Sequence, residues 1–282
     1  MSPNTNNYYV PSPSLWPLIA SIALFLMAGG FAMQMNDVAS GNFVLIAGVL
    51  VFFYLLYGWF RDVVKESLSG FYNKQVDVSF RWSMGWFIFS EVMFFAGFFG
   101  ALFYIRNISL NWISQSTLAW PGYSSWTEFT STWPTNGPAA TQALEAMSPW
   151  GLPAINTLIL LVSGATLTYA HWGLMKNNRK QLTVGLILTI ALGAIFLYLQ
   201  AHEYAEAAFT MDSGIYGSTF YLLTGFHGLH VTMGTIMLAI VLFRVLKGHF
   251  DSHNHFAFEA VAWYWHFVDV VWLFLFIFVY WL

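Results

Sequence analysis

The sequence predicts an all-α membrane protein with seven transmembrane helices. Of its 282 residues, 58% are hydrophobic and only 8% are charged, whereas a soluble domain carries about 25% charged residues. The apolar residues form long continuous runs, which argues against a β-barrel because barrel strands alternate. This composition excludes a water-soluble enzyme and a disordered chain. A net charge of −3 also excludes a nucleic-acid-binding protein.

Seven apolar runs reach the length of about 20 residues that a bilayer-spanning helix needs. We expect one membrane domain over residues 1–282, without internal repeats. The predicted spans cover approximately residues 15–35, 42–60, 82–105, 153–175, 182–203, 217–243 and 259–282.

The first three spans are separated by recognisable polar segments. No Lys or Arg precedes span one, so we expect this span to be retained rather than cleaved as a signal peptide. Residues 36–41 form a polar turn after span one, and the charged segment 61–81 follows span two.

The later spans are also bounded by polar segments. A long external loop rich in Ser, Thr, Pro and Trp, residues 107–152, follows span three. A basic turn at 176–181, an acidic Gly-containing segment at 204–216 and a His-rich loop at 247–256 separate the last four spans.

The basic residues predict the orientation of the chain. Arg106 is the single basic residue on the side reached by the odd-numbered connections. Since cytoplasmic loops are enriched in Lys and Arg, we expect the N-terminus on the cytoplasmic side and the C-terminus on the periplasmic side. The other nine are Arg61, Lys65, Lys74, Arg81, Lys176, Arg179, Lys180, Arg244 and Lys247.

Ionisable residues within spans are costly and are functional candidates by default. Here they are Glu91 in span three, His227 and His230 in span six, and His266 and Asp269 in span seven, with His171 near the cytoplasmic end of span four and His202 and Glu203 near the outer end of span five. His227 and His230 share one helix face, and so do His266 and Asp269, because the members of each pair are three residues apart.

We expect Glu91 to form a hydrogen bond with a span-six histidine, either as part of a proton relay or as a contact that orders the helices. Interhelical hydrogen bonding is favoured over haem or metal ligation, and the chain contains no cysteine. No catalytic residue and no metal ligand is therefore predicted.

Several segments resemble cytochrome c oxidase subunit III, of the aa3-type haem–copper oxidases, and together they cover almost the whole chain. Shorter matches lie before span one and after span two. The motifs are SEVMFFAGFF at 90–99, YGSTF at 216–220, TGFHGLHV at 224–231 and WYWHFVDVVWL at 263–273.

The resemblance implies a fold in which helices 1 and 2 are splayed from a bundle of helices 3 to 7. The V-shaped cleft between them holds bound phospholipid. The implied function is that of a supporting, cofactor-free subunit in aerobic electron transport and proton pumping, within a complex that acts as a cytochrome-c oxidase. The implied partners are subunit I, which is the main contact, and subunit II; haem a and copper belong to the partner subunits. The chain would stabilise subunit I, sustain its proton uptake and offer oxygen a lipid-lined route.

The resemblance also implies a set of residues near phospholipid, where aromatic and basic side chains meet the interface. These are Trp59, Arg61, Glu66, Arg244 and Lys247.

The chain departs from the family pattern in three places. Leu15 interrupts a proline-rich run, Phe60 replaces a frequent Trp, and the 107–152 loop is longer than in mitochondrial members. The loop and the N-terminus indicate a bacterial inner membrane, with the mitochondrial inner membrane as the alternative.

Other functions remain open at this stage. One is an unrelated seven-helix transporter, although no repeats or paired broken helices are visible. Another is subunit III of a quinol oxidase. A retinal protein is excluded because residues 259–282 contain no lysine, and a eukaryotic receptor would have the opposite orientation.

Overall fold

The computed structural model describes residues 9–115, 129–138 and 144–282, and all regular structure within these ranges is helical. Seven helices are long and apolar enough to cross a membrane, which confirms the predicted fold class. The helices are α1 (Trp16–Met35), α2 (Gly41–Leu68), α3 (Lys74–Tyr104), α4 (Leu152–Met175), α5 (Arg179–Glu206), α6 (Ile215–Leu246) and α7 (Phe256–Leu275).

Most helices extend beyond the predicted spans. The charged segment 61–81 is largely helical, because α2 runs to Leu68 and α3 begins at Lys74. A π-helical turn, Ile105–Ser109, and a short helix, Leu110–Gln115, carry α3 into the predicted loop. Hydropathy marks the residues suited to the bilayer interior, whereas backbone hydrogen bonding continues the helix past that boundary. Residues 116–128 and 139–143 of the predicted loop lie outside the described ranges.

The chain, which the sequence predicts to be one domain, divides into two compact units, Met1–Trp82 and Ser83–Leu282. In the N-terminal unit, α1 and α2 form a helical hairpin around a tight turn in which Asp37 has a positive φ of 57°. A Cβ at Gly48 would lie 2.7 Å from the Met27 backbone nitrogen, so a glycine is needed for this close helix contact. Trp16 also donates a hydrogen bond from Nε1 to Asp62 Oδ2, at 3.0 Å.

The C-terminal unit is organised around the fully buried indole of Trp265 on α7. Its Nε1 donates to Ser163 Oγ of α4 at 2.9 Å. A Cβ at Gly193 of α5 or Gly234 of α6 would lie 2.7 Å or 2.8 Å from the same indole. Four helices therefore meet at one side chain, and the two glycines let their helices approach it.

Helix α3 joins this unit through its apolar face and its far end. Phe95 and Leu102 are buried in the core. Arg106 donates hydrogen bonds to the backbone carbonyls of Phe278 at 3.1 Å and Leu282 at 2.5 Å. The charge of Arg106 thus fastens the end of α3 to the end of the chain.

Candidate functional site

A contact between two ionisable side chains within the spans joins α3 to α6. Glu91 Oε2 lies 2.9 Å from His230 Nε2, and the side chains are 21% and 12% exposed. The imidazole of His230 lies edge-on to Phe95 and is stacked on Tyr264. Aromatic rings therefore line the hydrogen bond on two sides and reduce its access to other polar groups.

The hydrogen-bond geometry shows that this contact holds one proton. His230 Nδ1 lies 2.6 Å from the backbone carbonyl oxygen of Phe226. A carbonyl only accepts, so Nδ1 carries a hydrogen, as inferred from the bonding pattern. The remaining bond then has either a protonated Glu91 donating to Nε2 or a His230 imidazolium donating to the carboxylate. In either case a single hydrogen bond links α3 to α6.

His227 has a different environment from His230, although both share one face of α6. Its ring is fully buried against Phe196 and Trp272. Nε2 lies 3.2 Å from the Val268 carbonyl oxygen of α7 and donates to it. Nδ1 has no hydrogen-bond partner among the described residues. His227 therefore links α6 to α7, and His230 is the histidine that faces Glu91.

The two predicted polar residues of α7 form a separate pair. His266 Nδ1 lies 3.7 Å from Asp269 Oδ2, with the histidine side chain 45% exposed and the carboxylate 9% exposed. Asp269 faces α4, because a Cβ at Gly164 would lie 2.6 Å from its Oδ2. Its Oδ1 forms no hydrogen bond within the ranges that the structure describes. The α7 pair is thus placed against α4, and the Glu91–His230 pair lies between α3 and α6.

Three of the predicted lipid-contacting residues lie in the N-terminal unit. Trp59 and Arg61 are exposed on α2. Glu66 accepts a hydrogen bond from the Tyr72 hydroxyl at 2.9 Å. Burial, together with the neighbouring Glu66 carboxylate, raises the pKa of Tyr72 well above its usual value. Glu66 is therefore held by Tyr72, whereas Trp59 and Arg61 remain accessible.

The other two predicted lipid-contacting residues lie at the end of α6, in the C-terminal unit. The guanidinium of Arg244 lies 4.5 Å from the ring centroid of Phe250, and Lys247 Nζ lies 4.3 Å from that of Phe243. Arg244 Nε is buried without a hydrogen-bond partner in the described part of the chain. Aromatic faces thus orient two cations at this end of the helix.

Sequence reasoning did not identify the surroundings of two polar features of the C-terminal unit. Glu203 of α5 is only 2% exposed, although its position near a predicted span end indicated an interfacial residue. His171, His255 and Glu259 converge at one end of α4 and α7. The four-residue spacing of His255 and Glu259 was visible in the sequence, but the approach of α4 was not.

The seven long apolar helices, with an ionisable pair joining α3 to α6, are those of a multi-pass helical membrane protein. A sequence model of the family described as Cytochrome c oxidase subunit III matches residues 6–282. Cytochrome c oxidase subunit 3 of Prototheca wickerhamii is 45% identical over 274 residues, which cover 97% of this chain and 96% of that protein. The corresponding protein of Dugong dugon is 43% identical over 282 residues, covering 100% of this chain and 99% of the relative. That of Equus caballus is 42% identical with the same coverage.

The chain therefore belongs to the cytochrome c oxidase subunit III family, and the resemblance carried by its motifs is confirmed. As a member, it is a supporting subunit of the respiratory oxidase and assembles with other oxidase subunits.

Proposed function

We propose that this chain supports the oxidase by packing against the haem-bearing subunit I, beside subunit II, and by sustaining proton uptake. The observation that supports the proposal is the Glu91–His230 contact, in which Oε2 and Nε2 lie 2.9 Å apart between α3 and α6. The role of the chain is to stabilise subunit I while the redox chemistry takes place at haem a and copper in the partner subunits. The family match favours this function over the unrelated seven-helix transporter.

Removing this chain from the purified complex and adding it back tests the supporting role. We expect the depleted oxidase to take up protons more slowly during turnover, and the readdition of the chain to restore the rate. The measurement is pH-indicator absorbance in vesicles that contain the oxidase. Equal proton-uptake rates in the complete and depleted enzymes would contradict the proposal.

We further propose that the chain retains phospholipid, through Trp59, Arg61 and Glu66 in the N-terminal unit and through Arg244 and Lys247 in the C-terminal unit, and that it helps oxygen to reach subunit I. Support comes from the exposure of Trp59 and Arg61 and from the two cations held on aromatic rings at the end of α6. Guanidinium and ammonium groups at the interface attract anionic headgroups.

Native mass spectrometry of the intact complex tests lipid retention. We expect fewer retained phospholipids in an Arg61→Ala/Arg244→Ala double variant than in the wild type, because two headgroup contacts are lost. An Arg106→Ala variant is a control at the opposite end of the spans, where the arginine bonds backbone carbonyls. Unchanged retention in the double variant would contradict these lipid contacts.

We also propose a bacterial inner-membrane location, based on the long 107–152 loop and the N-terminal segment. The distribution of basic residues supports an N-terminus in the cytoplasm and a C-terminus in the periplasm. Because the chain contains no cysteine, single cysteines can report its orientation. With a membrane-impermeant maleimide on intact cells, we expect a cysteine at Ser148 to be labelled and one at Asn177 to be protected. The reverse pattern would overturn this orientation.

A further inference from the structure

A cluster of two histidines and one glutamate lies apart from the Glu91–His230 pair. His171 belongs to the last turns of α4, His255 immediately precedes α7, and Glu259 lies in the first turn of α7. One donor atom from each residue lies within 4.8 Å of the other two. Two helix ends that are distant in sequence thus bring three metal-binding side chains to one point.

The carboxylate of Glu259 is the centre of this cluster. Its Oε1 lies 3.2 Å from His255 Nε2 and 3.7 Å from His171 Nε2. The His255 side chain is 7% exposed, that of Glu259 is 15% exposed and that of His171 is 32% exposed. The cluster is therefore mostly buried but reachable from the His171 side.

The hydrogen bonding of His255 prepares its Nε2 for ligation. Nδ1 lies 3.0 Å from the Asp251 backbone carbonyl and donates its hydrogen to that oxygen. A histidine that binds a metal usually makes such a bond with its other nitrogen, which fixes the tautomer and the ring orientation. In the neutral ring, the Nε2 lone pair then faces the Glu259 carboxylate, and two acceptors need a cation or a proton between them.

His171 supplies the third donor. Its Nε2 is buried and forms no hydrogen bond within the described residues. Its titratable neighbours are Glu259, His255 and His266. The ring therefore presents a nitrogen to the carboxylate without another hydrogen-bond partner for that nitrogen.

We propose that His171, His255 and Glu259 form a binding site for a zinc-like divalent cation that joins the end of α4 to the start of α7. Two imidazole nitrogens and one carboxylate oxygen form a typical zinc donor set, with water as the fourth ligand. Zinc bonds of about 2.0–2.1 Å place tetrahedral ligands about 3.3 Å apart. The 3.2 Å and 3.7 Å separations are close to that spacing, and all three donor atoms lie within 4.8 Å of one another.

Zinc binding to the intact oxidase tests the proposal. The complex is treated with a chelator, dialysed against Zn²⁺, and its bound zinc is counted per haem by elemental mass spectrometry. The wild type is expected to bind one more zinc ion than His171→Gln, His255→Gln or Glu259→Gln complexes. Loss of a direct ligand should weaken affinity about 100-fold or more, since loss of an outer partner alone costs about 10–100-fold.

His202→Gln is the matched control. His202 Nε2 lies 3.6 Å from Glu206 Oε1 on exposed turns of α5, as an i,i+4 pair. This control should bind as much zinc as the wild type. X-ray absorption at the zinc edge should show nitrogen or oxygen ligands at about 2.0–2.1 Å, with fewer imidazoles in the His171→Gln complex.

Equal zinc binding by the wild type and all three ligand variants would overturn the proposal and leave an imidazolium–carboxylate ion pair at this position. A loss in His202→Gln as large as that in the ligand variants would also overturn it. Haem absorbance of each complex verifies assembly, and any variant that assembles is sufficient for the comparison.

Discussion

Glu91 and His230 form a hydrogen bond in which one proton is held between two side chains. A proton relay needs this proton to be exchanged, whereas a helix-ordering contact needs only the hydrogen bond. The two roles therefore respond differently to a side chain that keeps the bond but cannot ionise.

A Glu91→Gln variant makes that distinction. The glutamine amide can donate to His230 Nε2. Because the hydrogen bond is kept, we expect an assembled, haem-loaded complex whose turnover changes only modestly. Glu91→Leu leaves Nε2 without a partner and should destabilise the α3–α6 contact by about 1–3 kcal/mol. Oxygen consumption and thermal denaturation of the complex measure these effects.

Glu206→Gln is the control for removal of a carboxylate, because the Glu206 side chain is 64% exposed. It should change neither turnover nor denaturation temperature. Complete loss of oxygen reduction in an assembled Glu91→Gln complex would show that the carboxylate itself is required.

The sequence could identify the intramembrane polar residues but could not assign their partners. Glu91, His227 and His230 stand out because ionisable groups within spans are rare. Spacing puts both histidines on one face of α6. Which one meets Glu91 depends on the rotation of α6 against α3 and α7, and that rotation is fixed by side-chain packing. The approach of His171 to His255 could not be predicted for the same reason, because it depends on how α4 packs against α7.

Helix packing in the C-terminal unit depends on glycines that face the Trp265 indole. Gly193 and Gly234 lie on neighbouring helices and contact the same ring. This shared aromatic contact becomes visible only when α5, α6 and α7 are assembled.

Gly234→Ala tests this packing. The added Cβ would lie 2.8 Å from Trp265 Cε3, and the buried ring has little room to move. We expect overpacking to cost about 1–3 kcal/mol and to lower the denaturation temperature of the detergent-solubilised complex. Gly228→Ala on the same helix is the control, because a Cβ there has no neighbour within 4 Å among the described residues. An equal effect of both substitutions would contradict the packing account.

On the scale of the whole molecule, the low charge indicates a membrane protein, and family membership identifies it as a subunit of the oxidase. The chain has ten basic and thirteen acidic residues, most of them predicted at span ends, and few ionisable groups lie within the spans. The predicted spans located all seven helices, because bilayer thickness imposes their length. They did not predict the helical extensions of α2 and α3, since those depend on backbone continuity and side-chain packing.

The distribution of redox centres most directly tests the central claim that this chain supports the oxidase without carrying its redox centres. The measurement is haem absorbance and copper content in both fractions after this chain is separated from the purified complex. We predict that all haem and redox copper remain with the partner subunits. Haem absorbance that stays with this chain after separation would contradict the account.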